Sequence, residues 1–212
     1  MPTRQCVPSN FQSMLWRCLV MVLMLALSAC ASTPSITVPS RAPDLAWLAR
    51  KSELEKISSW RLNGRITIKS TEDSWSTAID WQQQDDAFDI LFMTHLGQTV
   101  AKLHGRPGRA TLLTPDEKLN AADVDVLLSK HFGWVIPVEG MRFWVLGLPA
   151  PGLVANKQLD DYGRVSSLEQ LGWRIKYVRY TNDGDIDLPE KMVLEYPQLQ
   201  VRLFIDRWKL SG

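Results

Sequence analysis

The sequence has 212 residues, with 24 Lys and Arg against 23 Asp and Glu, and contains three Cys. A nearly neutral chain without a run of basic residues lacks the long-range attraction for phosphate on which nucleic-acid binding depends, so nucleic acid is excluded as an expected partner. The length fits one domain that buries an ample core.

An apolar segment runs from Cys18 to Leu27, after Arg17. It has about half the roughly twenty residues that a membrane-crossing helix needs, which predicts a signal peptide. The segment ends in Leu27-Ser28-Ala29-Cys30, which resembles the lipobox of bacterial lipoproteins. This resemblance implies cleavage before Cys30, which then carries covalent N-acyl and S-diacylglycerol groups. An ordinary signal that happens to end beside a Cys is the alternative, and translation starting at Met14 would give a signal of more usual length.

The sequence therefore predicts three parts. Residues 1–29 are the signal peptide, residues 30–43 are a lipidated N-terminus and flexible tether rich in Ser, Thr and Pro, and residues 44–212 are the folded domain. Removal of the signal would also remove Cys6 and Cys18, so no disulfide is available and packing alone must hold the fold. Ala31 follows Cys30 where an inner-membrane lipoprotein usually has Asp, which points to the outer membrane, on the side that faces the periplasm.

The domain opens with a predicted amphipathic helix over residues 44–58, whose packed face is formed by Leu45, Leu48, Leu54 and Ile57. The period of the apolar residues then changes to two, which is typical of half-buried antiparallel strands. The first five predicted strands cover residues 60–69, 74–81, 87–93, 99–104 and 110–114.

The middle of the domain is predicted to be helical. Asn120 is the expected N-cap of a helix with Val124, Leu127, Leu128 and His131 on one side and Gly133 at its end. A second short helix is predicted over residues 140–146. Strands resume after Arg164, with turns at 171–172 and 181–188, to give nine to eleven strands and about three helices in all.

A sheet of this length twists toward a barrel, which predicts a mostly β fold with some α: a curved antiparallel sheet that forms an incomplete barrel covered by helices. The large aromatic residues Trp60, Trp75, Trp81 and Phe88 fall on the apolar faces of its strands. Aromatic residues in this pattern more often form an ordinary packed core, and a hollow, lipid-holding core is the alternative. The alternation is the same in both and does not decide between them.

Several short motifs occur along the domain. They are Leu62-Asn63-Gly64-Arg65, Ala78-Ile79-Asp80-Trp81, Leu96-Gly97, Val135-Ile136-Pro137-Val138, Trp144-Val145-Leu146-Gly147-Leu148-Pro149 and Leu159-Asp160-Asp161. In this order and spacing they resemble the LolB family of outer-membrane lipoprotein receptors. The resemblance extends from about Trp60 to Leu210, with His95 as a departure where the family often has Pro.

The resemblance implies a helical lid over an apolar cavity that accepts the acyl chains of lipoproteins from the periplasmic carrier LolA. It also implies delivery of this cargo into the inner leaflet of the outer membrane by a monomer without a cofactor, with Leu96 and Gly97 as the membrane-insertion loop. Together with the strand alternation, it predicts the cavity lining to be Ile66, Ile68, Ile79, Trp81, Phe88, Ile90, Trp144 and Leu146.

Enzyme chemistry is the competing class, and the residues offer little for it. The sequence has neither the HExxH zinc motif nor a GxSxG elbow or glycine-rich phosphate loop. Asp183, Asp185 and Asp187 begin like a calcium loop, but Leu188 replaces the required Gly. No catalytic residue or metal ligand is therefore predicted. A scaffold lipoprotein without a cavity and, less favoured, an exported hydrolase are the alternatives.

Overall fold

The computed structural model describes residues 43–184 and 186–211. Within them lie three helices, α1 (Pro43–Leu54), α2 (Val124–Phe132) and α3 (Val138–Trp144). The eleven strands are β1 (Ser59–Ser70), β2 (Ser74–Gln84), β3 (Ala87–Met93), β4 (Thr99–Arg106), β5 (Arg109–Leu113), β6 (Lys118–Ala121), β7 (Asn156–Leu159), β8 (Val165–Gln170), β9 (Trp173–Asp183), β10 (Ile186–Tyr196) and β11 (Leu199–Ser211).

All eleven strands form one antiparallel sheet in the order β6-β5-β4-β3-β2-β1-β11-β10-β9-β8-β7. The sheet is not closed, because β6 and β7 are its two edges among the described residues. The predicted fold class and the predicted number of strands are confirmed. No helix in the described part of the chain is both long and apolar enough to span a bilayer.

The central strand β1 joins the two halves of the sheet by pairing with β2 on one side and with β11 on the other. Its inner side chains are buried in strict alternation, as predicted. The register with β11 shifts at Asn63 and Gly64, and a Cβ at Gly64 would lie 2.1 Å from the carbonyl oxygen of Phe204. Only glycine fits this bulge, which explains one residue of the first family motif.

The predicted packed face of α1 is corrected by the structure. Leu45 and Leu48 are exposed, whereas Leu54 is buried as predicted, together with Trp47. Ile57 packs against the core but lies beyond the end of the helix at Leu54. Arg50 on the same face donates to the backbone oxygen of Asp187 and lies 5.6 Å from the ring centre of Tyr180. The loop at Gly163 packs so closely on the helix that a Cβ there would be 2.6 Å from Ala46. These contacts, rather than the spacing of leucines, decide which side of α1 faces inward.

The predicted cap of α2 is also corrected. Asn120 lies in β6, where its side chain accepts a hydrogen bond from Thr111. The N-cap is Asp123, whose carboxylate accepts from the backbone N–H groups of Asp125 and Val126 at 2.8 and 3.0 Å. Gly133 ends the helix with a φ of 71°, as predicted. His131 lies beside Glu117 at 3.3 Å, on the surface rather than in the packed side.

The remaining differences concern two strands that were not predicted and the bounds of three other elements. The edge strands β6 and β7 were absent from the sequence prediction, α3 begins at Val138 rather than at Gly140, and the strands β9 and β10 extend into the predicted turn over 181–188. The edge strands are four residues long and have no clear apolar alternation, so backbone pairing with β5 and β8 is what orders them.

Candidate functional site

A cavity of about 440 Å³ lies between the inner face of β1–β5 and the two helices α2 and α3. Its lining is almost entirely apolar. The apolar lining residues are Ile66, Ile68, Trp75, Ile79, Trp81, Ile90, Phe92, Val100, Ala101, Leu103, Leu112, Leu128, Phe132, Trp134, Ile136, Val138, Met141 and Leu203. Its volume falls in the range of small-molecule pockets, roughly 300–1,000 Å³.

The polar atoms of this region are kept away from the cavity interior. The polar residues in the lining are Asp73, Ser74 and Thr114, which lie at strand ends. At the opposite end, the indole N–H of Trp81 donates to Gln83 at 3.1 Å, so the ring can present carbon to the cavity without leaving its donor unpaired. Such a cavity binds hydrocarbon better than water, because water needs two to four polar partners.

The lid over the cavity consists of α2 and α3, which one side chain ties together. Asp125 in the first turn of α2 accepts a hydrogen bond from the backbone N–H of Val138 at 2.9 Å, at the start of α3. Pro137 precedes this helix and provides no side-chain cap, so Asp125 supplies the cap from a neighbouring helix. Burial raises the pKa of Asp125 to about 6, although the bond from Val138 acts in the opposite direction.

The mouth of the cavity lies at one end of the sheet. Ile68, Ser74, Phe92 and Val100 of the lining lie near the end of β1, the start of β2, the end of β3 and the start of β4. Because consecutive strands are antiparallel, these positions meet at the same end, which is also the end that carries the β3–β4 hairpin.

Leu96 stands at the tip of that hairpin and is 88% exposed. The loop is tight: the backbone N–H of Thr94 donates to Gln98 at 2.8 Å and that of Gly97 donates to Thr94 at 2.9 Å. Gly97 has a φ of 80°, a conformation that glycine adopts without steric cost. The loop therefore holds a large apolar side chain in solvent.

Of the predicted lining residues, Ile66, Ile68, Ile79, Trp81 and Ile90 line this cavity, and the other three do not. Phe88 lies in a small cleft with Pro107 and Arg142. Trp144 packs on Trp173 in the other half of the sheet, and Leu146 lines a groove at the opposite end of the barrel. The predicted positions of these three residues are thus corrected. They face inward, but toward parts of the interior that the cavity does not reach.

The sequence prediction missed most of the lid's contribution. Ile136 and Val138 line the cavity and belong to a motif that already carried the family resemblance. Trp134 and Met141 complete this side. This motif was the one sequence feature that could have indicated these lining residues, because residues 133–137 form no helix or strand and show no apolar periodicity.

A larger groove of about 750 Å³ lies at the opposite end of the sheet, between α1 and the segment after α3. Its lining is a mixture of apolar and charged residues, and four of the charged residues form ion pairs. Arg142 contacts Asp86 at 2.6 Å and Lys51 contacts Glu55 at 3.3 Å. The smaller cavity is therefore the better hydrocarbon site despite its size.

The described carboxylates have structural roles. Asp160 and Asp187 both contact Arg164, at 2.8 and 3.1 Å, and Asp160 also accepts the backbone N–H groups of Tyr162 and Arg164. Asp80 of the second family motif accepts two bonds from Arg61 at 2.7 and 2.5 Å. Among the described residues, no group of three or more His, Cys, Asp or Glu is placed to hold a metal ion.

The fold is an open antiparallel half-barrel whose helical lid covers an apolar cavity. Solved structures share the architecture. A LolA superfamily protein from Nitrosomonas europaea matches with a TM-score of 0.51 and 12% identity over 77% of this chain and 94% of its own. A DUF1329 family protein from Desulfovibrio piger matches with a TM-score of 0.55 and 9% identity over 82% of this chain and 93% of its own. At such identities the likeness shows the fold alone.

The family is shown by sequence comparison. Residues 58–208 match the model of the family described as outer membrane lipoprotein LolB. The outer-membrane lipoprotein LolB of Nitrosococcus oceani is 42% identical over 82% of this chain and 87% of its own length. That of Pseudomonas putida strain W619 is 34% identical over 91% of this chain and 95% of its own length. The chain belongs to the LolB family, and the family resemblance read from the sequence is confirmed.

Proposed function

We propose that this protein is an outer-membrane lipoprotein that accepts other lipoproteins from a LolA-like periplasmic carrier, holds their acyl chains in its cavity and releases them into the inner leaflet of the outer membrane. Membership of the LolB family supports a role in lipoprotein localisation. The observation that carries the acyl-binding step is the apolar lining of the lidded cavity. The protein is proposed to act as a monomer and without a catalytic step.

Transfer of this kind needs only differences in affinity. Each buried methylene contributes about 0.8 kcal/mol to the free energy of burial. A multi-chain lipid can therefore move from carrier to acceptor to bilayer if each site in turn binds its acyl chains more tightly than the one before. The lid makes such a sequence workable, because Leu128, Val138 and Met141 leave the cavity wall when the helices move. No bond to the cargo has to be formed or broken.

The proposed anchor is Cys30, with residues 30–43 as the tether. Residues 1–42, which include Cys30 and the signal peptide over residues 1–29, lie outside the described residues, and Pro43 at the end of the predicted tether is the first residue of α1. Mass spectrometry of membrane-derived protein tests the proposal. The expected N-terminus is Cys30 with the mass of its acyl groups, whereas a retained signal or an unmodified Cys30 would contradict the anchor.

Leu96 is proposed to insert into the acyl boundary of the membrane when cargo is released. Burial of one leucine contributes about 1.5–3 kcal/mol, which biases the orientation of the mouth without anchoring the protein. The loop is well suited to this role because Leu96 is already 88% exposed and needs no conformational change to reach the bilayer.

The experiment is a reconstituted transfer from carrier to outer-membrane vesicles. Leu96→Glu is expected to fold and to accept lipoprotein normally but to deliver it at least tenfold more slowly, since 1.4 kcal/mol corresponds to tenfold. The matched control is Val154→Glu, a residue that is 96% exposed at the opposite end of the barrel. Normal delivery by Leu96→Glu, or loss of acceptance together with delivery, would contradict the insertion role.

A further inference from the structure

The cavity mouth has exposed apolar residues on two sides, and only one of these sides is the Leu96 hairpin. Phe132 at the end of α2 is 37% exposed, and Val135 in the connector to α3 is 51% exposed. Phe132 lines the cavity, and Val135 lies between the lining residues Trp134 and Ile136. The lid connector over residues 132–135 therefore borders the mouth from the helical side.

A row of aromatic rings joins the two sides. Phe92, four residues before Leu96, packs against Trp75 with ring centres 5.3 Å apart, and Trp75 packs against Trp134 at 6.0 Å. Trp134 stacks on Phe132 at 4.7 Å with ring planes 16° apart. All four rings line the cavity. The apolar surface is thus continuous from the hairpin strand, across the mouth, to the lid connector.

The residues around the cavity mouth suit contact with a bilayer better than contact with a soluble protein. Residues 93–100 and 132–138 contain no Asp, Glu, Lys or Arg. Trp75 and Trp134 are partly buried, and their indole N–H groups donate to no described residue. Tryptophan is enriched at membrane interfaces, where its ring contacts acyl chains and its N–H meets headgroups.

We propose that the lid connector, through Val135 and Phe132, is a second membrane contact, so that the bilayer touches both sides of the mouth and cargo leaves between them. This inference rests on the proposed function but adds a surface on the lid to the hairpin. The connector leads directly into α3, whose residues Val138 and Met141 line the cavity. Membrane contact at the connector would therefore act on the lid during delivery.

The test uses the full mature chain with Cys30→Ala, which removes the anchor so that vesicle binding reports the protein surface. The vesicles contain phosphatidylethanolamine and phosphatidylglycerol, and flotation measures the bound fraction. Val135→Glu is expected to weaken binding about five- to tenfold, and its combination with Leu96→Glu is expected to weaken it by the product of the two single effects. Val135→Ser adds no charge and is expected to leave the melting temperature unchanged. It should also weaken vesicle binding, but less than Val135→Glu does.

Two controls separate this proposal from the proposed function. Val154→Glu should bind vesicles like the parent, and all variants should bind a fluorescent fatty acid normally in the absence of vesicles. Normal vesicle binding by both Val135→Glu and Val135→Ser would overturn the second contact. If these variants bind vesicles normally but no longer accept lipoprotein from the carrier, the connector is a carrier interface instead. Failure of the parent to bind the fatty acid would instead contradict the proposed function.

Discussion

The two halves of the sheet have similar strands but differ in what fills their concave faces. Strands β1–β5 face a cavity of about 440 Å³ under α2 and α3, here called the hollow half. Strands β8–β10 and the segment from Trp144 to Ala150 form a filled interior, here called the solid half, in which Val165, Leu168, Ile175 and Met192 have no exposed surface. The hollow half therefore contains an internal cavity, whereas the interior of the solid half is filled by side chains.

The solid half is held by polar contacts as well as by packing. The buried side chain of Gln170 accepts from the indole N–H of Trp144 and from the backbone N–H of Ala150, both at 2.8 Å, and donates to the oxygen of Ala150 at 2.9 Å. Tyr177 donates its hydroxyl proton to the oxygen of Trp144 at 2.9 Å. These bonds fix the segment after α3 against β8 and β9, and so fix one end of the lid.

The hollow half carries a cost that the solid half avoids. Engineered cavities destabilise proteins by about 24 cal/mol per Å³, so an enclosed empty space of 440 Å³ would cost on the order of 10 kcal/mol as an upper bound. The open mouth lowers this figure, and an acyl chain would recover part of it through contacts with the wall. We infer from this comparison that packing in the solid half offsets part of the cost of the open cavity.

The largest expected effect comes from Gln170→Leu in the solid half. The substitution leaves the Trp144 N–H and both backbone groups of Ala150 unpaired in the interior, which costs roughly 3–9 kcal/mol at about 1–3 kcal/mol for each of the three groups. Chemical denaturation measures the loss. The matched substitution Gln83→Leu leaves two groups unpaired, because Gln83 accepts from the Trp81 indole N–H and donates to the backbone oxygen of Asp85. It should therefore lower the free energy of unfolding by less. Equal unfolding midpoints for Gln170→Leu and the parent would contradict the role given to this residue.

A matched pair of larger side chains compares the two halves directly. Ile175 and Ile90 are both buried strand residues, but only Ile90 lines the cavity. Ile175→Phe should lower stability by about 1–3 kcal/mol, because a packed interior has no room for the ring. Ile90→Phe should unfold close to the parent and bind a fluorescent fatty acid about tenfold more weakly, since the ring takes up ligand space at a cost of about 1.4 kcal/mol. Similar losses of stability in both variants would mean that the hollow half is packed in solution.

The smallest expected effect is the pH dependence of the lid. The pKa of Asp125 is raised by burial from 3.8 to about 6. The folded protein therefore holds this proton more tightly than the unfolded chain, so the contribution to stability is full below pH 4 and is lost as the pH rises through 6. The loss is about 1 kcal/mol after allowance for the partial exposure of the carboxyl.

The variant Asp125→Asn isolates this effect, because its amide oxygen can still accept from Val138 but does not titrate. Asp123 and Glu139 are the other acidic groups that face Asp125, and they are unchanged in the variant. Between pH 4 and pH 7 the free energy of unfolding of the parent should fall relative to that of Asp125→Asn. Parallel curves would show that Asp125 does not carry the pH dependence.

The sequence was most informative where one face of a strand is buried. Strands β1 and β2 were predicted with their inward faces correct, because every second residue there is apolar. Helix α1 was harder, since Leu45, Trp47, Leu48 and Leu54 surround much of it, and its contacts with Gly163 and Asp187 come from distant parts of the chain. Alternation gives the face of a strand residue but not how far along the strand the cavity extends, so Phe88 at the start of β3 was placed in the cavity although it lines a separate cleft. Trp144 and Leu146 lie at and beyond the end of α3, where strand alternation gives no information.

The central claim is that the hollow half, and not the solid half, holds acyl chains. Delipidated mature protein loaded with a photoreactive fatty acid, irradiated and digested, shows by mass spectrometry which peptides the chain contacts. The account predicts labels on β2–β4 and α3, at residues such as Ile79, Ile90 and Met141. Labels concentrated on β8–β10 around Ile175 and Met192, or an absence of any saturable labelling, would contradict it.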